Sequence, residues 1–221
     1  ENYGQVIVDE CHHVGTSSFD AILKRVKAKY VLGLTATPIR WDGQQPIIFM
    51  QCGPIRYTAS KSDSAPTDLE VIPRMIYKTI ALPQEVVIQE VFSHIANDEE
   101  RTAAIAAEVV NAFNLGRKVL VLTERTDHLD AILAGLDGKL MSLFVLHGRM
   151  SKKQRAKVIK ELDELALDAP RVLLATGKLV GEGFDHPALD TLVLAMPISW
   201  KGTLQQYAGR LHREHATKID V

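Results

Sequence analysis

Short apolar runs alternate with longer amphipathic stretches along most of the chain. The apolar runs predict strands at about 5–9, 30–35, 118–122, 141–146, 171–175 and 190–195. The amphipathic stretches predict helices over about 17–27, 98–115, 127–136, 151–166 and 203–213. Strands that alternate with helices in this way are typical of a parallel sheet with helices on both faces. The predicted fold class is therefore α/β.

Glycine, proline and small polar residues interrupt this pattern at three places. Pro38 ends the second strand region, and Gly116 is expected to cap the helix over 98–115. Residues 59–68 read ASKSDSAPTD, a small, polar and proline-containing stretch. That composition is typical of a linker, so two domains are predicted on either side of it.

Composition narrows the class of protein only a little. The 221 residues are 46% hydrophobic and 24% charged, with a net charge of −1, so any nucleic-acid binding must come from a local basic patch. The two cysteines, Cys11 and Cys52, form no disulfide framework and predict free thiols in a reducing, cytoplasmic setting. No apolar run reaches the roughly 18 residues of a membrane span, so no membrane partner is expected.

Two adjacent carboxylates, Asp9 and Glu10, close the first predicted strand. Mg²⁺ prefers oxygen ligands, so one carboxylate could hold that ion while the other orients or deprotonates a water that attacks a γ-phosphate. A solvated strand end is the alternative, and the pair alone does not decide between them. Cys11, His12 and His13 follow, but structural zinc takes four ligands that usually come from two spaced pairs, so a zinc site is disfavoured.

Two later strands are followed by loops that also suit a nucleotide. Residues 33–38 read GLTATP, in which two hydroxyl side chains could connect a nucleotide pocket to another part of the molecule. Residues 175–187 read ATGKLVGEGFDHP, and glycines allow the backbone to approach a phosphate or a ribose closely. Ordinary loop exits explain either stretch equally well. Gly177 and Lys178 do not form a P-loop, because Leu179 stands where Ser or Thr is required.

Basic residues concentrate in two helical stretches. Arg210 and Arg213 are three positions apart and are expected to share a helix face that could grip a triphosphate, although a solvated basic helix end is the alternative. The stretch 147–160 carries basic charge and no acid, and Ser151 is a plausible N-cap of its helix, so the helix start could hold a nucleic-acid phosphate. A solvated helix face is the alternative here as well. Its basic residues are Arg149, Lys152, Lys153, Arg155, Lys157 and Lys160.

The order of these motifs carries a resemblance to one family. DECH, TATP, ATG…EGFD and QQYAGRLHR follow one another as motifs II, III, V and VI do in the superfamily 2 helicases and translocases, and KVLVLTE at 118–124 resembles motif IV. TATPIRWDG and the later GPIRY look most like the DNA-directed branch that holds restriction-enzyme motor subunits and xeroderma-type repair helicases. The resemblance implies an ATP- and Mg²⁺-dependent motor with RecA-like domains that moves along nucleic acid, with DNA expected.

The resemblance also implies roles for residues of the first half. Asp9 would hold Mg²⁺ and Glu10 would be the general base. His12 would couple the nucleotide site to the rest of the motor, and Thr35 and Thr37 would link hydrolysis to strand movement.

In the second half, the implied roles divide between nucleotide and nucleic acid. Thr176 would touch the nucleic-acid backbone. The patch of Arg149, Lys152 and Lys153, described above from its charge, is the other candidate contact with nucleic acid. The residues implied on the nucleotide side are Gly183, Asp185, Gln206, Arg210 and Arg213, with Arg210 and Arg213 in catalytic roles and Arg213 as the arginine finger.

One motif of the family has no counterpart in the sequence, namely the P-loop GxxxxGK[ST]. Residues 1–58 are therefore expected to be the C-terminal half of a first RecA-like domain and residues 69–221 a near-complete second one. As a fragment of this kind, the chain is expected not to hydrolyse ATP alone. Domains or subunits on the amino-terminal side of Glu1 are expected partners, and an exposed sheet edge in 1–58 predicts self-association.

Two other functions compete with the motor. A non-catalytic helicase-like module would bind nucleic acid or protein without hydrolysing ATP. A nucleotide-binding metabolic enzyme would need GxGxxG after its first strand, and the sequence contains none.

Overall fold

The chain divides into two units, Glu1–Ser62 (unit 1) and Asp63–Val221 (unit 2). The computed structural model describes residues 3–39, 42–59, 70–76, 85–177, 184, 186–198, 201–213, 215 and 218. Nearly all of the predicted linker, 59–68, lies outside the described residues. Among the helices described, none has both the length and the apolar character that a bilayer crossing needs.

Unit 1 contains a two-stranded parallel sheet and three helical segments. The strands are β1 (Gln5–Val8) and β2 (Tyr30–Gly33), paired in register from Gln5 with Tyr30 to Val8 with Gly33. A 3₁₀ turn (Cys11–Gly15) leads into α1 (Ser17–Arg25), and α2 (Gln45–Cys52) follows β2. Buried Cys11, Val14 and Ile48 form the centre of its core.

Unit 2 contains a four-stranded parallel sheet in the order β4-β5-β3-β6. The strands are β3 (Lys118–Thr123), β4 (Leu143–Leu146), β5 (Arg171–Thr176) and β6 (Thr191–Leu194). The helices are α3 (Ile88–Ala96), α4 (Glu99–Asn114), α5 (Thr126–Leu136), α6 (Lys152–Asp163) and α7 (Lys201–Leu211). Every residue of the two central strands is buried, as expected for strands that helices cover on both sides.

Two apolar clusters cover the two faces of this sheet. One joins α4 and α5 to the sheet through side chains such as Val109, Leu129 and Ile132. The other joins α6 and α7 to it through Leu162, Tyr207 and Leu211. The predicted α/β class with parallel strands and covering helices is therefore confirmed.

Local chemistry sets several element boundaries. Gly116 has φ of 82°, its N–H reaches the Phe113 carbonyl, and α4 ends there as predicted. Helix α6 ends at Asp163, three residues before the predicted boundary. The reason lies in Arg171, 1% exposed, whose guanidinium donates to the carbonyls of Leu162, Ala166 and Ala169. These carbonyls are thereby satisfied without a further helical turn.

Candidate functional site

The carboxylates of Asp9 and Glu10 lie immediately after β1, at the carboxyl end of the unit 1 sheet. Glu10 has φ 47° and ψ 46°, and within the described residues it alone, apart from glycines, has a positive φ. Its N–H donates to Asp9 Oδ1 at 2.9 Å. A left-handed conformation is costly for a residue with a side chain, and such strain clusters at functional sites.

A set of close polar contacts connects the ends of β1 and β2. The His12 side chain is 5% exposed, with its Nδ1 lying 3.0 Å from Thr35 Oγ1 and 3.2 Å from Glu10 Oε2. The N–H of Thr37 donates to Thr35 Oγ1 at 3.0 Å. The structure thus brings together Glu10, His12, Thr35 and Thr37, four of the residues that the sequence had suggested.

The two cysteines belong to the core of unit 1 rather than to a metal site. Both thiols are free, and they meet beside Gly33, where an added Cβ would lie 2.9 Å from Cys11 Sγ and 3.1 Å from Cys52 Sγ. Burial and the neighbouring Cys52 raise the pKa of Cys11 to about 11. Among the described residues, no group of three or more His, Cys, Asp or Glu side chains could hold a metal ion.

The carboxylate pair nevertheless has the chemistry that Mg²⁺ requires in a nucleotide site. Glu10 Oε2 is buried and makes no hydrogen bond within the described part of the chain, although the His12 imidazole lies 3.2 Å away. Asp9 is exposed beside it. Mg²⁺ bound with a nucleotide typically takes one or two carboxylates and completes its shell with phosphate and water oxygens. The exposed carboxylate of Asp9 therefore fits this ion, and Glu10 Oε2 is left to contact a water molecule beside it.

In unit 2, Thr176 ends β5 and is paired in register with Thr123, which ends β3. Thr176 is 8% exposed, so its side chain is largely covered. Gly183 and Asp185, which the sequence placed on the nucleotide side, lie outside the described residues. Phe184 between them is buried in the core.

Helix α7 carries the candidate residues of the last motif. Gln206 and Arg210 are half-buried on it. Arg213 is exposed and lies in a bend two residues beyond Leu211, so the expectation that Arg210 and Arg213 share a helix face is wrong. The helix ends earlier because Lys218 Nζ donates to the carbonyls of Leu211 and Arg213 at 2.5 and 2.9 Å.

The basic stretch before and along α6 is less uniformly basic than its sequence suggests. Arg149 donates to both carboxylate oxygens of Asp130, at 3.0 and 2.8 Å. Lys157 and Lys160 each lie 3.6 Å from an acid one turn later, Glu161 and Glu164 respectively. The surplus of positive charge therefore concentrates at the first turn of α6.

That first turn carries Lys152 and Lys153, both exposed. The predicted N-cap is confirmed: Ser151 Oγ accepts from Gln154 N–H, and Gln154 Oε1 accepts from Ser151 N–H. This capping box fixes the helix start beside the two lysines. The arrangement suits a phosphate oxygen, with two ammonium groups next to a helix N-terminus.

Sequence reasoning missed one contact at the carboxyl end of the unit 2 sheet. Tyr207 of α7 donates from Oη to Glu124 Oε1 at 3.1 Å, across 83 positions of sequence. The only signal in the sequence is a carboxylate directly after a buried strand, the same signal that singled out Asp9 and Glu10.

Comparison with known proteins identifies the family. The family described as "Helicase conserved C-terminal domain" matches residues 101–215, more than half of the chain. The family described as "Type III restriction enzyme, res subunit" matches residues 1–40. The chain belongs to the superfamily 2 helicases, which are ATP-dependent nucleic-acid helicases that use ATP, usually with Mg²⁺.

Two curated relatives align with nearly the whole chain. The chain is 27% identical to "Probable helicase D10" of Escherichia phage T5, over 99% of this chain and 47% of the relative. It is also 27% identical to "DNA 3'-5' helicase XPB" of Kineococcus radiotolerans, over 99% of this chain and 38% of the relative. The chain thus spans less than half the length of these relatives.

Solved structures share the fold. The "ATP-dependent Type ISP restriction-modification enzyme LlaBIII bound to DNA" aligns with a TM-score of 0.65 at 17% identity, covering 100% of this chain and 18% of that one. Dbp5 of S. cerevisiae, bound to RNA and ADP BeF₃, aligns at 0.60 with 12% identity, covering 95% and 49%. T4 UvsW aligns at 0.52 with 20% identity, covering 99% and 44%. At these identities the alignments show that the fold is that of RecA-like helicase domains.

Proposed function

We propose that these 221 residues are part of an ATP-dependent DNA helicase or translocase that couples hydrolysis to movement along a strand. The observation that carries the proposal is the contact of His12 Nδ1 with both Glu10 and Thr35, at 3.2 and 3.0 Å. It joins a candidate general base to a candidate coupling residue through one buried imidazole. A movement of the Glu10 carboxylate would thereby shift His12, and His12 would shift Thr35 after the end of β2.

Each half of the chain has its own part in this proposal. Residues 1–58 are the C-terminal half of a first RecA-like domain, 59–68 are a linker, and 69–221 are a second RecA-like domain. The first domain supplies water activation and ion binding, and the second supplies positive charge for the phosphates and contacts for the nucleic acid.

The chemical roles in unit 1 follow from its carboxylates. Asp9 would hold Mg²⁺, which neutralises charge on the phosphates when it is bound with ATP. Glu10 accepts the proton of the attacking water. His12, with Thr35 and Thr37, relays a change at Glu10 to the segment after β2.

The roles in unit 2 follow from its cations and its sheet edge. Arg210 and Arg213 stabilise negative charge on the triphosphate, with Arg213 as the arginine finger. Gln206, Gly183 and Asp185 contribute to the nucleotide side. Thr176 and the patch of Arg149, Lys152 and Lys153 hold the nucleic-acid backbone, and the two lysines at the start of α6 contribute most because Arg149 is already paired with Asp130.

DNA is the proposed nucleic acid. The support is the resemblance of TATPIRWDG and GPIRY to the DNA-directed branch, together with a 27% identical relative whose printed name is a DNA helicase. The alignment with RNA-bound Dbp5 bears on the fold alone.

Because the sequence has no P-loop, the proposal is tested by ATPase assays of both the 221 residues and the full-length protein. We expect no ATP turnover from the 221 residues alone, because no GxxxxGK[ST] is present to cradle the phosphates. The full-length protein should hydrolyse ATP faster with DNA than with RNA of the same length. Glu10→Gln should reduce that rate by about 10³-fold or more, as should Arg213→Ala. Glu90→Gln, an exposed glutamate of α3, is the matched control and should retain the wild-type rate.

Three outcomes would contradict parts of the proposal. Glu10-dependent turnover by the 221 residues alone would refute the need for a P-loop from elsewhere. Equal stimulation by RNA would refute the preference for DNA. DNA binding by a full-length protein without any turnover would favour the second candidate, a non-catalytic helicase-like module, which the absence of a P-loop within these residues also supports.

A further inference from the structure

Three segments that are far apart in sequence meet at one point of the unit 2 sheet. Because Thr123 and Thr176 are partners in register, Glu124 and Gly177 follow them as neighbours at the carboxyl edge of the sheet. Tyr207 reaches this point from α7, and its Oη donates to Glu124 Oε1 at 3.1 Å. The contact therefore connects the ends of β3 and β5 to the helix that carries Arg210.

Gly177 leaves room for this contact. A Cβ at position 177 would lie 2.2 Å from Tyr207 Oη and 2.3 Å from Glu124 Oε1, closer than Cβ atoms approach other atoms in real proteins. The hydrogen-bonded pair thus rests directly on the backbone at the end of β5. A side chain at position 177 would displace the phenol, the carboxylate or both.

The hydrogen bond adds direction to the packing of α7. Tyr207 and Leu211, four positions apart and 4% and 2% exposed, hold one face of the helix in the core. Apolar packing is non-directional, whereas a hydrogen bond to a carboxylate fixes both rotation and position. Burial and the Glu124 charge raise the pKa of Tyr207, so the phenol keeps its proton and stays a donor.

We propose that Glu124 and Tyr207 are positioning residues that hold α7 so that Arg210 and Arg213 are correctly placed for ATP hydrolysis. The inference rests on the proposed function and adds two residues to it. Tyr207 lies one turn before Arg210 on α7, so a rotation of the helix at Tyr207 moves the Arg210 guanidinium directly. Arg213 follows two residues after the end of α7, so the same rotation moves the backbone from which Arg213 extends. Catalysis by a positioned charge is sensitive to displacements of about 1 Å.

The hydroxyl can be removed without removing the ring. In the full-length protein with saturating DNA, Tyr207→Phe should lower kcat about tenfold while KM for ATP changes less than about twofold, because the contact acts on the transition state rather than on ground-state binding. Glu124→Ala should give the same loss. Glu124→Gln keeps an oxygen that can accept from the phenol and should retain most of kcat.

A double variant and a matched control complete the experiment. Tyr207→Phe combined with Glu124→Ala should be no slower than the slower single variant, because both changes break one contact. Tyr30→Phe, which removes the hydroxyl of a tyrosine that is 60% exposed, should leave kcat unchanged. All assays run well below each variant's unfolding midpoint, with the folded fraction measured by circular dichroism.

Several results would overturn the inference. These are an unchanged kcat in Tyr207→Phe, equal losses in Glu124→Gln and Glu124→Ala, losses that multiply in the double variant, or losses that vanish after correction for folded fraction. A wild-type protein without DNA-stimulated turnover would instead overturn the proposed function, and this inference with it. An active wild type with unaffected variants would overturn only the positioning role.

Discussion

At the scale of single residues, Glu10 has a backbone conformation that is unfavourable for a residue with a side chain. Its backbone adopts a left-handed conformation that favours glycine, yet the position carries the carboxylate proposed as general base. The side chain is 41% exposed, so its contact with His12 contributes little to stability. Neither the backbone conformation nor the contact with His12 gives a folding reason for a glutamate at this position, which agrees with the proposed role as general base.

We expect Glu10→Gly to stabilise unit 1 while it abolishes hydrolysis in the full-length protein. Relief of the left-handed strain should raise the local free energy of unfolding by about 1 kcal/mol. The measurement is hydrogen exchange of the β1 and β2 amides in the 221-residue chain, which should slow. Glu161→Gly in the helix α6 is the control and should speed exchange in α6 by a comparable free energy. Faster exchange in β1 of Glu10→Gly would show that the left-handed turn needs the glutamate side chain.

At the scale of elements, β3 and β6 begin on one buried ionic cluster. Asp190 is 6% exposed, and its Oδ1 accepts from the Lys118 N–H at 3.0 Å and from Thr191 Oγ1 at 2.8 Å. Lys118 Nζ lies 3.6 Å from Asp190 Oδ2, and Arg117 Nε lies 3.3 Å from Oδ1. The cluster fixes the amino ends of both strands.

Removal of the central carboxylate should be costly. Asp190→Ala leaves the 5%-exposed Lys118 without its buried counter-charge, and we expect a loss of about 3–5 kcal/mol in the free energy of unfolding. Urea unfolding of the 221-residue chain followed by far-ultraviolet circular dichroism measures it. Glu164→Ala, which breaks the exposed pair with Lys160, should cost less than about 1 kcal/mol. Similar midpoints for the two variants would mean that Asp190 does not hold the strands together.

The same scale shows how much the sequence could predict. The strands and the longer helices were found where apolar residues recur with a clear period, and their ends agree to within about three residues. The sequence pattern does not predict helix α2, because its run QPIIFMQC is only eight residues long and its apolar residues follow no helical period. Helix α3 was missed as well, and its N-cap Val87 offers no side-chain cap to mark its start.

The sequence predicts only part of the candidate site, because it shows local motifs but not contacts between distant residues. The motifs identified residues that are close in sequence. The contacts of His12 with Glu10 and Thr35, which bring two of these motifs together, come from the structure alone. The contact of Glu124 with Tyr207 depends on strand register and helix packing over 83 positions, which no local pattern contains. The basic patch near α6 was overestimated because Asp130, Glu161 and Glu164 lie outside the stretch that looked free of acids.

At the scale of the whole molecule, the response of stability to pH comes from groups whose pKa differs between the folded and unfolded chain, and two buried histidines are such groups. His128 is fully buried at the start of α5, and its Nδ1 lies 3.0 Å from Thr123 Oγ1. Burial, followed by the charge of Arg101, lowers its pKa below 6.5; the nearby Arg125 also lowers it, and Asp127 opposes them. Burial and Arg171 likewise lower the pKa of His186, against the opposing influence of Asp163.

The fold therefore favours the neutral form of both histidines. In the unfolded chain they take up protons as the pH falls through about 6.5, so the unfolded state binds more protons there and stability falls with acidification. The stability that the neutral forms provide is fully present above this pH. It is lost progressively as the pH falls towards the lowered native pKa values.

We expect the free energy of unfolding of the 221-residue chain to fall between pH 7 and pH 5, and His128→Asn to weaken this dependence. One histidine contributes at most about 1.4 kcal/mol per pH unit, so the slope should drop by a measurable part of that value. Urea unfolding at several pH values gives the slope directly. Thr123→Val is the control, because it removes the hydroxyl near Nδ1 but keeps the buried imidazole, and it should lower stability while preserving the slope. If His128→Asn leaves the slope unchanged, His128 takes up its proton equally well in the folded and the unfolded chain. The loss of stability in acid would then have to come from His186 and its neighbours Arg171 and Asp163.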